Sequence, residues 1–205
     1  VLQVGLVLFM LTIFHGGRAE NEAVLDTKGQ MVITSSSYYI SAAVSSFGGR
    51  LNIEPSKDNR TCPGGIIEET NEPPIGFPVL FAPRNVQRDV VRVSTDLNID
   101  FAVALILYSS GGPCTKGTPR WQVGPFDKEK NQTFVTTGGV FEGRGSEQTW
   151  FKIEKIGSDY YFRFCPSVCR RCKVICRNIG IYEDDGVRRL ALSDAPFRVK
   201  IASLF

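Results

Sequence analysis

Short apolar runs separated by turn residues follow one another along most of the chain, and no run of useful length has helical periodicity. The runs are rich in β-branched and aromatic residues, which is typical of strands. Clusters of glycine, proline and aspartate stand between them, as expected for turns. Many short strands at this spacing predict an all-β fold, either a sandwich or a barrel. The runs include YYISAAV, DVVRV, FAVALILY, TFVTT, WFKIEKI, YYFRFC, KVICR, RRLAL and FRVKIA.

The beginning of the chain has a different pattern. Val4 to Phe14 is one apolar run of 11 residues, which is too short to span a bilayer. Gly17 and Ala19 follow it with the small side chains that signal peptidase needs near its cut. We therefore expect residues 1–19 to be a signal peptide that is incomplete at its N-terminus, and residues 20–205 to be one domain. The expected product is secreted, extracellular or vacuolar, with no membrane anchor.

Length and composition fit one soluble globular domain. The 205 residues are enough for one full-sized core, and 42% hydrophobic with 22% charged residues is ordinary for such a domain. The 24 basic residues nearly balance the 21 acidic ones. A net charge of +3 is too weak for a dedicated nucleic-acid binder, so no nucleic-acid partner is expected.

The predicted secretion determines how the cysteines are interpreted. There are six, and an even number in an oxidising compartment indicates three disulfides. Two Asn-x-Thr sequons, at Asn59 and Asn131, are possible N-glycosylation sites on the same route. The alternative is a zinc site, because CPSVCRRCKVIC places four cysteines within 12 residues. Behind a signal peptide disulfides are favoured, and we expect no metal.

Residues for catalysis are scarce. His15 is the one histidine of the chain and lies in the predicted signal peptide, which excludes a Ser-His-Asp or Cys-His site in the mature protein. A carboxylate pair could still serve glycosidase chemistry. The acidic cluster Glu183-Asp184-Asp185 precedes Gly186 between two strand-like runs, however, and this pattern predicts a hairpin turn. No glycine loop of the kind that cradles phosphates precedes a helix, so we expect neither an enzyme nor a cofactor.

Several segments, in a fixed order, resemble a known family. VLDTKGQMV and then YYI open the domain, and DVVRVSTDLNIDF lies in its middle. TTGGV, TWFKIEK, YYFRFCPSVCRRCKVICRNIGIY and RRLALSD follow. These segments resemble the Kunitz soybean-type trypsin inhibitor family, and its miraculin-like branch most closely. The resemblance covers nearly the whole mature chain.

The resemblance implies a fold and a disulfide pattern. The fold would be a β-trefoil, in which twelve strands form three pseudo-repeats, six closing a short barrel and six capping it. The pairing would be one long-range disulfide and a nested pair near the C-terminus, namely Cys62–Cys114, Cys165–Cys176 and Cys169–Cys172.

The resemblance also implies an activity, inhibition of a trypsin-like serine protease by a substrate-like loop. An ungapped match from Ile75-Gly76 places Arg84 before the scissile bond, with Pro83 ahead of it and Asn85 after it. Arginine suits the carboxylate in the specificity pocket of such proteases. The alternative for Arg84 is an ordinary charge on a solvated loop.

The register of this loop has alternatives. Counting back from LNIDF places Gln87 at the scissile position, because the stretch is longer than in a typical inhibitor. Arg88 is a second basic candidate, although Asp89 after it is a poor neighbour for trypsin-like enzymes.

The residue that supports the loop departs from the family pattern. Inhibitors carry an Asn just before the YY pair, whose amide reaches into the loop, and Thr34 stands at the matching position here. A threonine hydroxyl has one donor and a shorter reach than an amide. This departure favours cleavage over stable inhibition. The alternative function is therefore a miraculin-like storage or defence protein without tight inhibition.

Other properties of the branch are not expected here. The acid-triggered sweetness of miraculin is attributed to histidines, and Phe47 stands at the matching place. The cysteine that links miraculin subunits is absent from EKIGSDYY, so we expect a monomer without an interchain disulfide. Trp121 and Trp150 lie in strand-like runs and are expected in the core or at the barrel rim, rather than as sugar platforms. A further alternative is binding of another hydrolase, such as an amylase, through a different loop, but no residue or motif in the sequence indicates it.

Overall fold

Twelve strands are present in the described part of the chain. The computed structural model describes residues 21–44, 49–54, 64–71, 73, 76–85, 87, 89–102, 118–142, 146–168 and 175–204. One 3₁₀ turn, Ser146–Thr149, lies among them. The strands are β1 Tyr38–Ala42, β2 Arg50–Ile53, β3 Ile66–Glu69, β4 Val79–Pro83, β5 Leu97–Phe101, β6 Gln122–Asp127, β7 Gln132–Thr136, β8 Lys152–Ile156, β9 Asp159–Phe164, β10 Arg177–Asp184, β11 Val187–Ser193 and β12 Val199–Ser203.

Six of the strands close a barrel. β1 pairs with β4, β4 with β5, β8 with β9, β9 with β12, and β12 with β1, all antiparallel. A bridge between Leu97 and Phe151 joins the start of β5 to the residue before β8 and completes the ring. Since β1 pairs with β12, the first and last of the described strands hold the barrel closed.

The other six strands form three hairpins, β2–β3, β6–β7 and β10–β11. Each four-strand unit, β1–β4, β5–β8 or β9–β12, therefore contributes two barrel strands and one hairpin. This is the β-trefoil that the resemblance implies, and the predicted all-β fold is confirmed.

Alternation of side chains along the barrel strands builds the core. Trp121 is fully buried beside β6 and lies 5.6 Å from Phe101, 6.2 Å from Phe151 and 5.5 Å from Phe162, measured between ring centroids. Aromatic pairs at these distances add stabilisation beyond the burial of their surface. Trp121 is thus a core residue, as predicted, and Trp150 is half-buried.

The predicted turn at the acidic cluster is present. Asp184 pairs with Val187, and the two residues between them, Asp185 and Gly186, have φ angles of 52° and 73°. Positive φ at both central residues is the geometry of the tight hairpin turn that follows the twist of its strands. The cluster is therefore structural.

The cysteines that the structure describes form one disulfide, between Cys165 and Cys176, which is a pair that the resemblance implies. This bond uses two of the four thiolates that the zinc alternative needs. Asn131, one of the two sequon residues, is exposed in the β6–β7 turn with φ 50°. The predicted signal peptide lies outside the described residues, as do Cys62, Cys114, Cys169, Cys172 and Asn59. No helix among the described residues is long and apolar enough to cross a membrane.

Candidate functional site

The candidate site is the connection between β4 and β5. The two strands pair in register up to Pro83 and Leu97, and the chain leaves the barrel at Arg84. We call residues 84–89 the outer loop and residues 90–96 the return limb. Val86 and Arg88 of the outer loop lie outside the described residues.

Main-chain hydrogen bonds hold both ends of the outer loop. The amide of Arg84 donates to the carbonyl of Asp96 at 2.9 Å, across the base of the connection. At the other end, the amide of Thr34 donates to the carbonyl of Asp89 at 2.8 Å. A bridge between Ile33 and Val90 follows directly. The chain between these two anchors is short, so its path is restricted before any partner binds.

Arg84 is the first residue beyond the barrel, and its side chain is exposed. Within the described part of the chain, its guanidinium has no ion pair and no hydrogen bond. Pro83 before it is buried as the last residue of β4, with φ fixed by its ring. Arg84 is thus an exposed cation, with no partner among the described residues, immediately after a rigid strand end.

The residue after Arg84 organises the tip of the outer loop. Asn85 is exposed, and its side-chain oxygen accepts a hydrogen bond from the amide of Gln87 at 3.2 Å. This hydrogen bond is of the kind that a side-chain turn makes, and it limits the freedom of Gln87. Gln87, which the alternative register places at the scissile position, is exposed as well.

Thr34 contacts the outer loop in a way that the sequence did not indicate. Its backbone amide makes the contact with Asp89, and its hydroxyl forms no hydrogen bond to any residue that the structure describes. A backbone amide is available in every residue type except proline. The hydroxyl of Tyr38 helps to place this segment by accepting a hydrogen bond from the amide of Ile33 at 2.9 Å. The observed support therefore does not depend on the side chain at position 34.

The return limb is fixed along its length by the N-terminal segment. Val91 is fully buried, donates its amide to Val32 at 2.9 Å, and accepts from the amide of Val24 at 2.9 Å. The amide of Val93 donates to Glu22 at 3.0 Å. These contacts form a ladder between residues 22–33 and 90–93, although neither stretch is part of a longer strand.

The end of the return limb is tied to β8. Ser94 has φ 56°, its amide donates to Ile153 at 2.9 Å, and its hydroxyl donates to the carboxylate of Glu154 at 2.5 Å. The hydroxyl of Thr95 donates to the carbonyl of Arg92 at 2.7 Å. An open groove of about 530 Å³ separates the outer loop from this limb, lined by Pro83, Arg84, Asn85, Val90, Arg92, Thr95 and Asp96.

Asp96 is a residue of the site that no sequence pattern indicates. Its carboxylate is buried and accepts hydrogen bonds from the amide of Ser167, at 3.1 Å to Oδ1 and 3.2 Å to Oδ2. Lys152 Nζ lies 3.8 Å from the same carboxylate and donates to the Ser167 hydroxyl at 2.8 Å. A lone acidic residue before a strand gives no indication of these contacts, because Ser167 is 71 positions away in sequence.

The chain is similar to known proteins over most of its length. Residues 24–202 match the legume Kunitz family, described as trypsin and protease inhibitor. Kunitz trypsin inhibitor 5 of Arabidopsis thaliana is 39% identical over 201 residues, which cover 94% of both chains. Miraculin of Synsepalum dulcificum is 43% identical over 183 residues, covering 85% of this chain and 80% of miraculin. The solved structure of a Kunitz-type cysteine protease inhibitor from potato has a TM-score of 0.74 at 27% identity, covering 91% of this chain and 99% of that one.

Proposed function

Because the chain belongs to the Kunitz-type trypsin and protease inhibitor family, a family of inhibitors and not of enzymes, we propose that it inhibits a trypsin-like serine protease through the outer loop. Arg84 is proposed as the residue before the scissile bond and Asn85 as the residue after it. The observation that carries this proposal is the exposed Arg84, whose guanidinium has no partner among the described residues and which begins a loop with two main-chain anchors.

The anchors explain how such a loop could inhibit a protease rather than serve as its substrate. A loop that is already ordered loses little conformational entropy on binding, so more of the contact energy appears as affinity. The Arg84 guanidinium would pair with the carboxylate at the base of the protease pocket by charge-assisted hydrogen bonds. After cleavage at Arg84–Asn85, the hydrogen bonds to Asp96 and Thr34 would keep the two new ends in place. The bond could then re-form before the ends separate.

The alternative function, a storage or defence protein without tight inhibition, is favoured by a different observation. Both anchors lie at the ends of the outer loop, and the Thr34 hydroxyl reaches none of the described loop residues. A loop whose described anchors to the rest of the molecule lie at its ends keeps some freedom between them, which favours ordinary cleavage.

Titration of trypsin with the protein, beside an Arg84→Ala variant, separates the two functions. We expect the parent to inhibit near stoichiometrically and the variant to lose at least about a hundredfold in affinity, because the pocket carboxylate is left unpaired. Lys128→Ala is the matched control, since Lys128 is an exposed basic residue in the β6–β7 turn, outside the β4–β5 connection. Absence of inhibition by the parent would favour the storage or defence protein. Equal inhibition by the parent and Arg84→Ala would place the scissile residue elsewhere, with Arg88 as the next candidate.

We also propose that the protein is secreted. The Cys165–Cys176 disulfide supports this proposal, because structural disulfides form and persist in oxidising compartments.

A further inference from the structure

Asp96 connects the outer loop to a distant part of the chain. Its carbonyl accepts the hydrogen bond from the Arg84 amide, and its carboxylate accepts the hydrogen bonds from the Ser167 amide. Ser167 lies two residues after Cys165, which is joined to Cys176. We infer that Asp96 is a positioning residue of the outer loop: it transmits the fixed position of the segment after Cys165 to the backbone of Arg84. This inference rests on the proposed function.

The geometry leaves Asp96 little freedom. Both carboxylate oxygens face one backbone amide, and Lys152 supplies a positive charge that offsets the burial of the negative one. The side chain of Asp96 is 7% exposed. A buried carboxylate cannot turn away from its donor without losing hydrogen bonds that water does not replace. The backbone at position 96 is therefore fixed from the side-chain end as well as by the pairing of Leu97 with Phe151.

This arrangement matters for Arg84 because the 84–96 hydrogen bond crosses the mouth of the connection. Arg84 is the first residue beyond the β4–β5 ladder, so the Asp96 carbonyl is the last barrel-side contact before the proposed scissile bond. If that carbonyl moved, the Arg84 backbone would gain freedom on the side that must stay in place after cleavage. Asp96 would thus control how long the cleaved ends remain together.

Asp159 offers a matched comparison. It is also buried, and its carboxylate accepts a hydrogen bond from Arg198 at 2.5 Å. It begins β9, and no hydrogen bond or ion pair joins its side chain to residues 84–96 in the described part of the chain. Loss of either carboxylate should destabilise the fold, but only loss of Asp96 should affect Arg84.

The experiment compares Asp96→Ala, Asp96→Asn and Asp159→Ala by three measurements. These are the inhibition constant for trypsin, the rate of cleavage at Arg84–Asn85, and amide hydrogen exchange at Arg84 by NMR. For Asp96→Ala we expect about tenfold weaker inhibition, faster cleavage and faster exchange at Arg84. Asp96→Asn should show inhibition, cleavage and exchange close to those of the parent, because its amide oxygen still accepts the Ser167 hydrogen bond. Asp159→Ala should lower the melting temperature and leave all three measurements at parent values.

Two results would overturn the inference. One is unchanged exchange at Arg84 in Asp96→Ala, and the other is an equal change in Asp159→Ala. If Asp96→Ala does not fold, the double variant Cys165→Ser, Cys176→Ser loosens the Ser167 segment and leaves Asp96 in place. Faster exchange at Arg84 is then expected, and unchanged exchange contradicts the inference. If the parent itself does not inhibit trypsin, the proposed function fails, while cleavage and exchange at Arg84 still decide the role of Asp96.

Discussion

Two exposed connections of this protein join paired antiparallel strands, one of 13 residues between β4 and β5 and one of two residues between β10 and β11. The short connection is built from its own residues, because Asp185 and Gly186 adopt the φ angles that a tight turn needs. The long connection has a few hydrogen bonds of its own, such as the one between Arg84 and Asp96, but it also depends on residues elsewhere. Its other ties come from residues 21–34, from β8 and from Ser167.

The difference bears on what each connection can present. A tight turn keeps its side chains close to the strands, and there Arg189 pairs with Asp184 at 3.2 Å. A long connection held from outside can carry a cation away from the barrel while its backbone stays ordered, and Arg84 is unpaired within the described chain. Remote support is therefore what makes an exposed arginine available to a partner.

Among the variants that test the remote support of the long connection, Thr34→Pro should have the largest effect on inhibition. Proline removes the amide that donates to Asp89, and a lost hydrogen bond of this kind costs about 1–3 kcal/mol. We expect inhibition of trypsin to weaken about tenfold or more, and cleavage in the outer loop to become faster. Inhibition titration and peptide mapping of the trypsin-treated protein measure the two effects.

Thr34→Ala is the control for this prediction, because alanine keeps the amide and removes only the hydroxyl. It should inhibit within about twofold of the parent. If Thr34→Ala weakens inhibition as much as Thr34→Pro, the hydroxyl provides the support and the main-chain contact is not the anchor that we infer.

Gly186→Ala would test the local connection, with a smaller effect. A Cβ at Gly186 meets no atom within 4 Å, so the cost comes from φ 73° alone. That conformation costs an alanine about 1–2 kcal/mol, which urea unfolding can measure. Gly157→Ala, at φ 61° in the β8–β9 turn with equally open space, should cost a similar amount. Neither variant should change inhibition, and a loss of inhibition in Gly186→Ala would show that the two connections are not independent.

The same distinction explains what the sequence could predict. The all-β class follows from alternation and turn residues, which are local properties, and the Asp185-Gly186 turn has a recognisable signature. The closed barrel depends on pairing between β1 and β12, which are more than 150 residues apart, and the β-trefoil was accessible through the family resemblance alone.

For the candidate site, too, the sequence indicates the local features and not the long-range contacts. Arg84 next to Pro83 could be singled out, because charge and proline are visible in the sequence. The role of the Thr34 amide could not, since every residue except proline has one. Asp96 could not be found either, because its donor at Ser167 is brought to it only by the fold. The sequence thus suggested what the loop presents, whereas its supports required the structure.

The smallest expected effect concerns the ion pair between Lys155 and Glu22, next to the return limb. The hydrogen bond to Glu22 raises the pKa of Lys155 above its usual 10.5. Because the folded pKa lies above the unfolded one, the charged Lys155 stabilises the fold below pH 10.5, as long as Glu22 is ionised, and this effect is lost as the pH rises through the folded pKa. The pair is exposed, so its contribution is small and screened by salt.

We expect Lys155→Met to lower the melting temperature slightly at pH 7 in low salt. At high salt, or above the folded pKa of Lys155, the variant should have the melting temperature of the parent. Since the return limb has many other ties, inhibition should not change; a measurable loss would mean that one surface pair carries support that we assign to the backbone ladder.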